Sequence, residues 1–413
     1  MKHVYLFSPI PYSFLHQRPQ KLADQFVQRG IPVTFIEPCG LTEYLQGRKK
    51  GLVPLVLYSM AYQALGFLSI FVPGSGSTPR RIQGRGSGGA ALSIVPMPMV
   101  YPSNRVDSRL LEKVNAAIFR QALKRRVLRF IGEEEEAIAI VQNPFWGLIL
   151  QRGDFTSVAY DCLDEISLFS GRGSVERFCQ YERRLMDIAK TTFVTAEKLE
   201  ERLRAIAPGC LIVRVPNGVD FEWFQDCASR QGVPPDINDA SHPIAGYVGV
   251  LRSWFDYDLI GHLARTMPDV SFIIVGPLDF ESRNSHLRTI PNLRWIGRRE
   301  YGEMPGYIRT FDVCLIPFVA GKVSETTNPV KVFEYFALGK PVVSTPMHEL
   351  LPFRNDGLLR FAQGREEFAA ALRDSLSEPA GEIQGRRREV ARRHSWRAMT
   401  ELMLSSLNTG PKS

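Results

Sequence analysis

Short apolar runs alternate with amphipathic stretches along most of the chain. Residues 4–7 are apolar throughout, and beyond a proline-rich turn Leu22, Ala23, Phe26 and Val27 recur at helical spacing. Gly30 ends that helix and residues 32–36 supply the next apolar run. The alternation continues, predicting strands over 92–96, 137–141, 157–160, 191–195 and 211–215, with helices over 108–130, 175–188 and 197–206. A second series places strands at 245–248, 270–275, 292–296, 313–317 and 341–344. Helices are expected at 258–266, 304–309 and 330–337, and a closing amphipathic helix at 387–407. Apolar strands separated by helices are what parallel sheets covered on both faces require. The expected class is α/β, with two Rossmann-like, doubly wound parallel-sheet domains.

Chain length agrees with two domains, since 413 residues exceed what one core of about 200 residues organises. Residues 228–243 hold three prolines among polar neighbours and no periodicity, which marks them as a linker. The expected division is an N-terminal domain over 1–227 and a C-terminal domain over 244–386, with the helix 387–407 packing back onto the first. Residues 74–89, rich in Gly, Ser and Arg, read as a mobile surface loop. Residues 51–76 carry no charge, and 52–72 are long enough for a membrane span, although Pro54, Gln63 and Gly66 argue against one. Domain interior or a membrane-contacting element fits that segment better. The N-terminus reads as a first strand rather than a signal peptide.

Charge changes the picture little. Lys and Arg number 51 against 43 Asp and Glu, a net +8, but the basic residues fall in small dispersed groups such as Arg48-Lys49-Lys50 and Lys124-Arg125-Arg126. A nucleic-acid module would cluster them with exposed aromatics, so no nucleic-acid partner is expected. Six cysteines without a CxxC pair exclude a structural zinc ribbon and a disulfide scaffold and fit a reducing, cytoplasmic setting.

In doubly wound sheets ligands bind beyond the carboxyl ends of the strands. Here those positions hold His16, Asn143, Asp161, Arg252, Lys331 and Glu334. No GxGxxG follows the first strand, where Ser8-Pro9-Ile10-Pro11 stands instead, and no Walker A motif is present. Gly249 followed by Arg252 offers another way to hold phosphate, because the guanidinium fork matches phosphate oxygens. Asn328-Pro329-Val330-Lys331 opens a helix whose free N–H groups suit an anion. Lys331 and Glu334 share a helix face, and spacing alone leaves a ligand contact and an ordinary i,i+3 ion pair equally open.

Asn328 to Lys331, Phe333-Glu334-Tyr335, Ala337 and Gly339-Lys340-Pro341-Val342-Val343-Ser344-Thr345 together resemble the signature of bacterial GT-B glycosyltransferases related to glycosyltransferase family 4. His16-Gln17-Arg18-Pro19-Gln20, Tyr160-Asp161-Cys162-Leu163-Asp164, Val215-Pro216-Asn217-Gly218-Val219-Asp220, Gly246-Tyr247-Val248-Gly249 and Ser395-Trp396 extend the likeness over nearly the whole chain. The resemblance implies two domains facing a cleft and transfer of a sugar from a nucleotide-sugar, with retention and without a bound metal or other cofactor. The acceptor would be a glycan or a lipid-linked glycan in surface polysaccharide or glycolipid synthesis. It implies donor binding by Gly249, Arg252, Asn328, Lys331 and Glu334, the last on the ribose. His16 and Asp161 are the implied catalytic-side residues, against capping or surface and structural roles respectively, and Asp164 is a candidate helix N-cap. Two family positions differ: Thr326 stands where a glutamate is usual, with Glu325 one residue off, and Tyr257 stands where a lysine is usual. A cytoplasmic enzyme in peripheral contact with an anionic membrane is the accompanying expectation. The competing classes are a sugar-nucleotide epimerase or hydrolase on the same fold and a non-enzymatic anionic-polymer binder.

Overall fold

The computed structural model describes residues 2–13, 16–38, 80–83, 90–98, 109–165, 175–277 and 287–408. Its strands form two sheets. The first contains β1 (Lys2–Phe7), β2 (Val33–Glu37), β3 (Arg80–Gln83), β4 (Ala91–Pro96), β5 (Glu136–Val141), β6 (Ser157–Cys162), β7 (Thr191–Val194) and β8 (Ile212–Arg214). Their spatial order is β3-β4-β2-β1-β5-β6-β7-β8, and only β3 runs antiparallel to its neighbour. The second contains β9 (Ile244–Val248), β10 (Ser271–Val275), β11 (Leu293–Gly297), β12 (Val313–Ile316), β13 (Val342–Ser344) and β14 (Arg360–Phe361), ordered β11-β10-β9-β12-β13-β14 and parallel throughout. The winding direction reverses between β1 and β5 in one sheet and between β9 and β12 in the other. Both sheets are therefore doubly wound, as the apolar pattern requires, and β9 and β12 are buried along their whole lengths.

Two compact units carry these sheets. One comprises Met1–Thr195, Leu199–Val215 and Thr400–Ser413; the other comprises Ala196–Lys198 and Pro216–Met399. The helix Phe221–Arg230 overlaps the proline-containing stretch at 228–243 and buries Phe224 and Ala228, one turn apart, while Ile237 joins the same core. That stretch is thus packed within the second unit rather than extended. The closing helix is two helices, Glu382–Arg393 and Trp396–Asn408. The break has a cause in tertiary contacts. Val219 donates to the His394 carbonyl at 3.0 Å and accepts from Trp396 N–H at 3.0 Å, which interrupts the helical ladder. Gly218 permits this approach, since a Cβ there would lie 2.8 Å from the His394 oxygen.

Toward the end of the chain, Lys2 donates to Asn408 at 2.5 Å and Arg29 pairs with Glu401 at 3.2 Å, both within the first unit. Residues 52–72 lie outside the described residues. Of the expected loop at 74–89, Arg80–Gln83 forms β3 and the rest lies outside them. No helix among the described residues is long and apolar enough to cross a membrane.

Candidate active site

The second sheet switches direction between β9 and β12, and the residues that follow these two strands meet around one lysine. Gly249, directly after β9, has φ +150°, a backbone state that glycine alone adopts easily. A Cβ at this position would lie 2.1 Å from Lys331 Cε and 2.7 Å from its Nζ. Gly276, directly after β10, has φ +153°, and its Cβ would lie 1.8 Å from the Gly249 carbonyl oxygen. The two glycines thus let adjacent strand ends close up and leave room for the lysine.

Lys331 belongs to the first turn of the helix Val330–Ala337, and its Nζ lies 5.4 Å from the ring centre of Tyr247 and 5.5 Å from that of Phe318. These ring faces favour a cation, but they do not neutralise it as a carboxylate would. Burial lowers the lysine's pKa, and Glu334 only partly opposes the shift. The i,i+3 ion pair does not form. The ammonium turns to Gly249, while the Glu334 carboxylate, 7% exposed, accepts a hydrogen bond from the Tyr301 hydroxyl. Tyr301 stacks on Trp223 with centroids 5.2 Å apart and planes 7° apart, and burial followed by the Glu334 charge drives its pKa well up. Tyr335 anchors the same helix, accepting from Val248 N–H at 3.0 Å. Arg252 is exposed, its guanidinium 6.0 Å from the Trp254 ring centre and without a polar partner among the described residues.

In the first unit the corresponding strand ends carry a closed ion pair. Arg18 opens the helix Arg18–Gln28, and its Nε and Nη2 donate to the two oxygens of Asp161 at 3.0 and 2.9 Å. Nη1 donates to the Val215 carbonyl at 3.1 Å. Gln142, directly after β5, adds a third donor to Asp161 at 2.9 Å. Arg18 is 4% exposed and Asp161 is fully buried. The rest of the His16–Gln20 motif shapes this turn: Gln20 accepts from Gln17 N–H at 3.2 Å and donates to the Pro11 carbonyl at 2.9 Å.

Comparison with known proteins fits this arrangement. Glycosyl transferases group 1 is the family that matches, over residues 243–378, which contain the whole lysine site. TuaH of Bacillus subtilis, a glycosyltransferase named for teichuronic acid biosynthesis, is 24% identical over 273 residues, covering 62% of this chain and 68% of TuaH. The chain is a GT-B-fold glycosyltransferase related to glycosyl transferases group 1. A phosphatidyl-myo-inositol mannosyltransferase of Mycobacterium tuberculosis is also 24% identical, over 232 residues that cover 52% of this transferase and 59% of that relative. Among solved structures, an α,α-trehalose 6-phosphate synthase of Burkholderia multivorans superposes with TM-score 0.65 at 12% identity, covering 99% and 97% of the two chains. HepE of Anabaena, solved with UDP and glucose, gives 0.60 at 12% identity over 99% and 100%. At such identities these likenesses concern the fold. Enzymes of this transferase class take their sugar from a nucleotide-sugar.

Within the transferase, Gly249, Lys331 and the start of the helix Val330–Ala337 come together at the switch point. Arg252 follows in the same loop. Asn328, 4% exposed, uses its side-chain oxygen on Asn217 N–H at 3.1 Å and its backbone carbonyl on the Asn217 amide at 2.8 Å. It therefore clasps the helix start to the Asn217-Gly218 loop.

Asp161 lies inside β6 rather than after it, and its carboxylate holds Arg18 with three donors directed at it. His16 is exposed and meets Tyr12 edge-on at 6.3 Å, and the N-cap of the following helix is Gln17. Glu325, the off-register acid, is exposed on the short helix Lys322–Thr326. Tyr257, in place of the usual lysine, stacks with Trp295 at 6.0 Å and packs on Phe255 at 5.0 Å, adding an aromatic ring rather than charge.

Tyr301, Phe318 and Gln142 carried no sequence signal, since single aromatic residues in strands and loops read as core and a lone glutamine at a strand end reads as surface. Arg18 and Tyr247 were legible only as motif neighbours.

Proposed function

We propose that this transferase moves a sugar from a nucleotide-sugar bound in its second unit to a hydroxyl of a glycan or lipid-linked acceptor, with retention, in surface polysaccharide or glycolipid synthesis. The observation that carries the proposal is Lys331, a desolvated cation without a hydrogen-bonded anion among the described residues, seated on Gly249 at the sheet's switch point. Such a position suits a diphosphate. As the sugar–phosphate bond breaks, negative charge grows on the leaving diphosphate. Lys331, Arg252 and the free N–H groups at the start of the helix Val330–Ala337 would stabilise that charge without having to reorganise. With Tyr257 in place of the usual lysine, Lys331 supplies the fixed positive charge. The Glu334 carboxylate, with two oxygens and several lone pairs, would take the ribose hydroxyls. The names of the relatives, a teichuronic acid glycosyltransferase and a phosphatidyl-myo-inositol mannosyltransferase, support the acceptor class.

Thermal shift of the full chain with UDP, GDP, ADP and their sugar conjugates tests the donor site. One nucleotide should raise Tm. Glu334→Ala should abolish that rise, whereas Tyr301→Phe, which removes only the phenol already bonded to Glu334, should keep it. An undiminished rise in Glu334→Ala would refute the ribose contact.

A further inference from the structure

Two acceptor groups in the first unit have no donor among the described residues. Gln142 is 5% exposed, and its Nε2 is fixed on Asp161, so its Oε1 must point the other way. That oxygen is buried and has no hydrogen-bond partner. Asp164, two residues beyond the end of β6, is half-buried, and its carboxylate has no hydrogen bond or ion pair among the described residues. A buried acceptor left unmade costs as much as a lost hydrogen bond, so the Gln142 oxygen calls for a donor from outside, and the half-buried Asp164 carboxylate is open to one as well.

The surroundings say which donor. Arg18 lies near enough to act on Asp164 electrostatically, yet its donors are committed to Asp161 and the Val215 carbonyl. With Arg18 already matched by Asp161, Asp164 offers a single unpaired carboxylate, whereas a metal ion collects several anionic oxygens. A neutral ligand with several O–H donors matches both acceptors.

We infer that Gln142 and Asp164 bind hydroxyl groups of a sugar ring, with the Arg18–Asp161 pair as the rigid platform beneath them. This rests on the transferase reading and names a substrate contact of it. The Asp164 carboxyl supports the assignment: burial pushes it up to about 7, with Arg18 opposing. Among the described residues, its charged or titratable neighbours along the chain include Asp161, closed on Arg18, the buried Cys162 thiol, and Glu165, which pairs with Arg202 at 2.9 Å. A sugar hydroxyl donating to the carboxylate favours its ionised form, so sugar binding near pH 7 should release part of a proton.

Calorimetry on the full chain tests this with UDP-glucose, GDP-mannose, the free nucleotides, and methyl glucoside and methyl mannoside as sugars without a nucleotide. Titrations in two buffers of different ionisation enthalpy report proton release. Asp164→Asn should leave free-nucleotide affinity unchanged and abolish the proton release that accompanies sugar. If the hydroxyls belong to the transferred sugar, the variant loses about tenfold in nucleotide-sugar affinity. If they belong to an acceptor sugar, the tenfold loss falls on the methyl glycoside instead. Gln142→Leu should weaken the same ligand. Unchanged sugar affinity and unchanged proton release in Asp164→Asn would overturn the inference even where nucleotide binds normally. Failure of every nucleotide to bind the wild type would instead overturn the donor site.

Discussion

Each unit of this transferase holds a desolvated cation at the carboxyl ends of its strands, and the two are treated in opposite ways. Arg18 in the first unit is matched by Asp161 with both carboxylate oxygens engaged, and Gln142 completes the set. Lys331 in the second unit is desolvated against Gly249, Tyr247 and Phe318, and its near acid, Glu334, bonds to Tyr301. A buried charge is costly unless paired. The first arrangement therefore reads as architecture. The second keeps its charge for something that arrives, and that is what separates a candidate binding cation from a structural one when both are desolvated.

The largest expected effect comes from breaking the closed pair. Arg18→Ala would leave Asp161 charged and buried and should cost about 3–5 kcal/mol in denaturant unfolding. Arg18→Met combined with Asp161→Leu should cost much less than the two single changes added, because neither charge is left behind. An additive result would show that the pair is not the unit of stability.

The open cation should behave the other way round. Lys331→Met is expected to leave Tm without nucleotide unchanged or slightly raised, since a desolvated ammonium with a lowered pKa is a burden on the fold. Nucleotide affinity should drop about 10- to 100-fold, roughly 1.5–3 kcal/mol for a charge-assisted contact to phosphate. The sign of the pH dependence follows. Only the protonated lysine attracts phosphate, so wild-type affinity should decline as pH rises through the lowered Lys331 pKa, below where an ordinary lysine titrates. The Lys331→Met profile should lack this decline. A large fall in Tm with unchanged affinity would make the lysine structural and erase the contrast.

Gly249→Ala is the smallest of the three. It forces an L-residue to φ +150° and sets a methyl group 2.1 Å from Lys331 Cε, although the flexible lysine can move aside. A stability loss on the order of 1–2 kcal/mol and a modest loss of nucleotide affinity are expected. Full retention of both would mean that the lysine's seat is not set by this glycine.

Much of the fold was legible from pattern. The apolar runs that became β1, β5, β9, β10 and β12 are buried on both faces, and such runs bounded by turn residues leave few alternatives. The helix Phe221–Arg230 was missed because its buried face is only Phe224 and Ala228, too short a stripe to show above the prolines that follow. The division of the closing helix was missed because Val219, far away in sequence, takes the backbone groups of His394 and Trp396. Within the candidate site, motif context singled out Gly249, Arg252, Lys331 and Glu334. It also selected Asp161 and Asn328, whose carboxylate and side-chain oxygen turned out to be engaged within their own units.

By itself the sequence determined two doubly wound sheets and which polar residues stand at their strand ends, because periodicity and turn chemistry are local properties. Only tertiary structure decided which of those residues are already partnered. Lys331 and Glu334 sit three residues apart in a pattern that reads as a pair, yet one meets Gly249 from β9's end and the other meets Tyr301 beyond β11. Whether a charge is closed or open depends on partners brought from distant strands, and spacing along one helix carries no information about them.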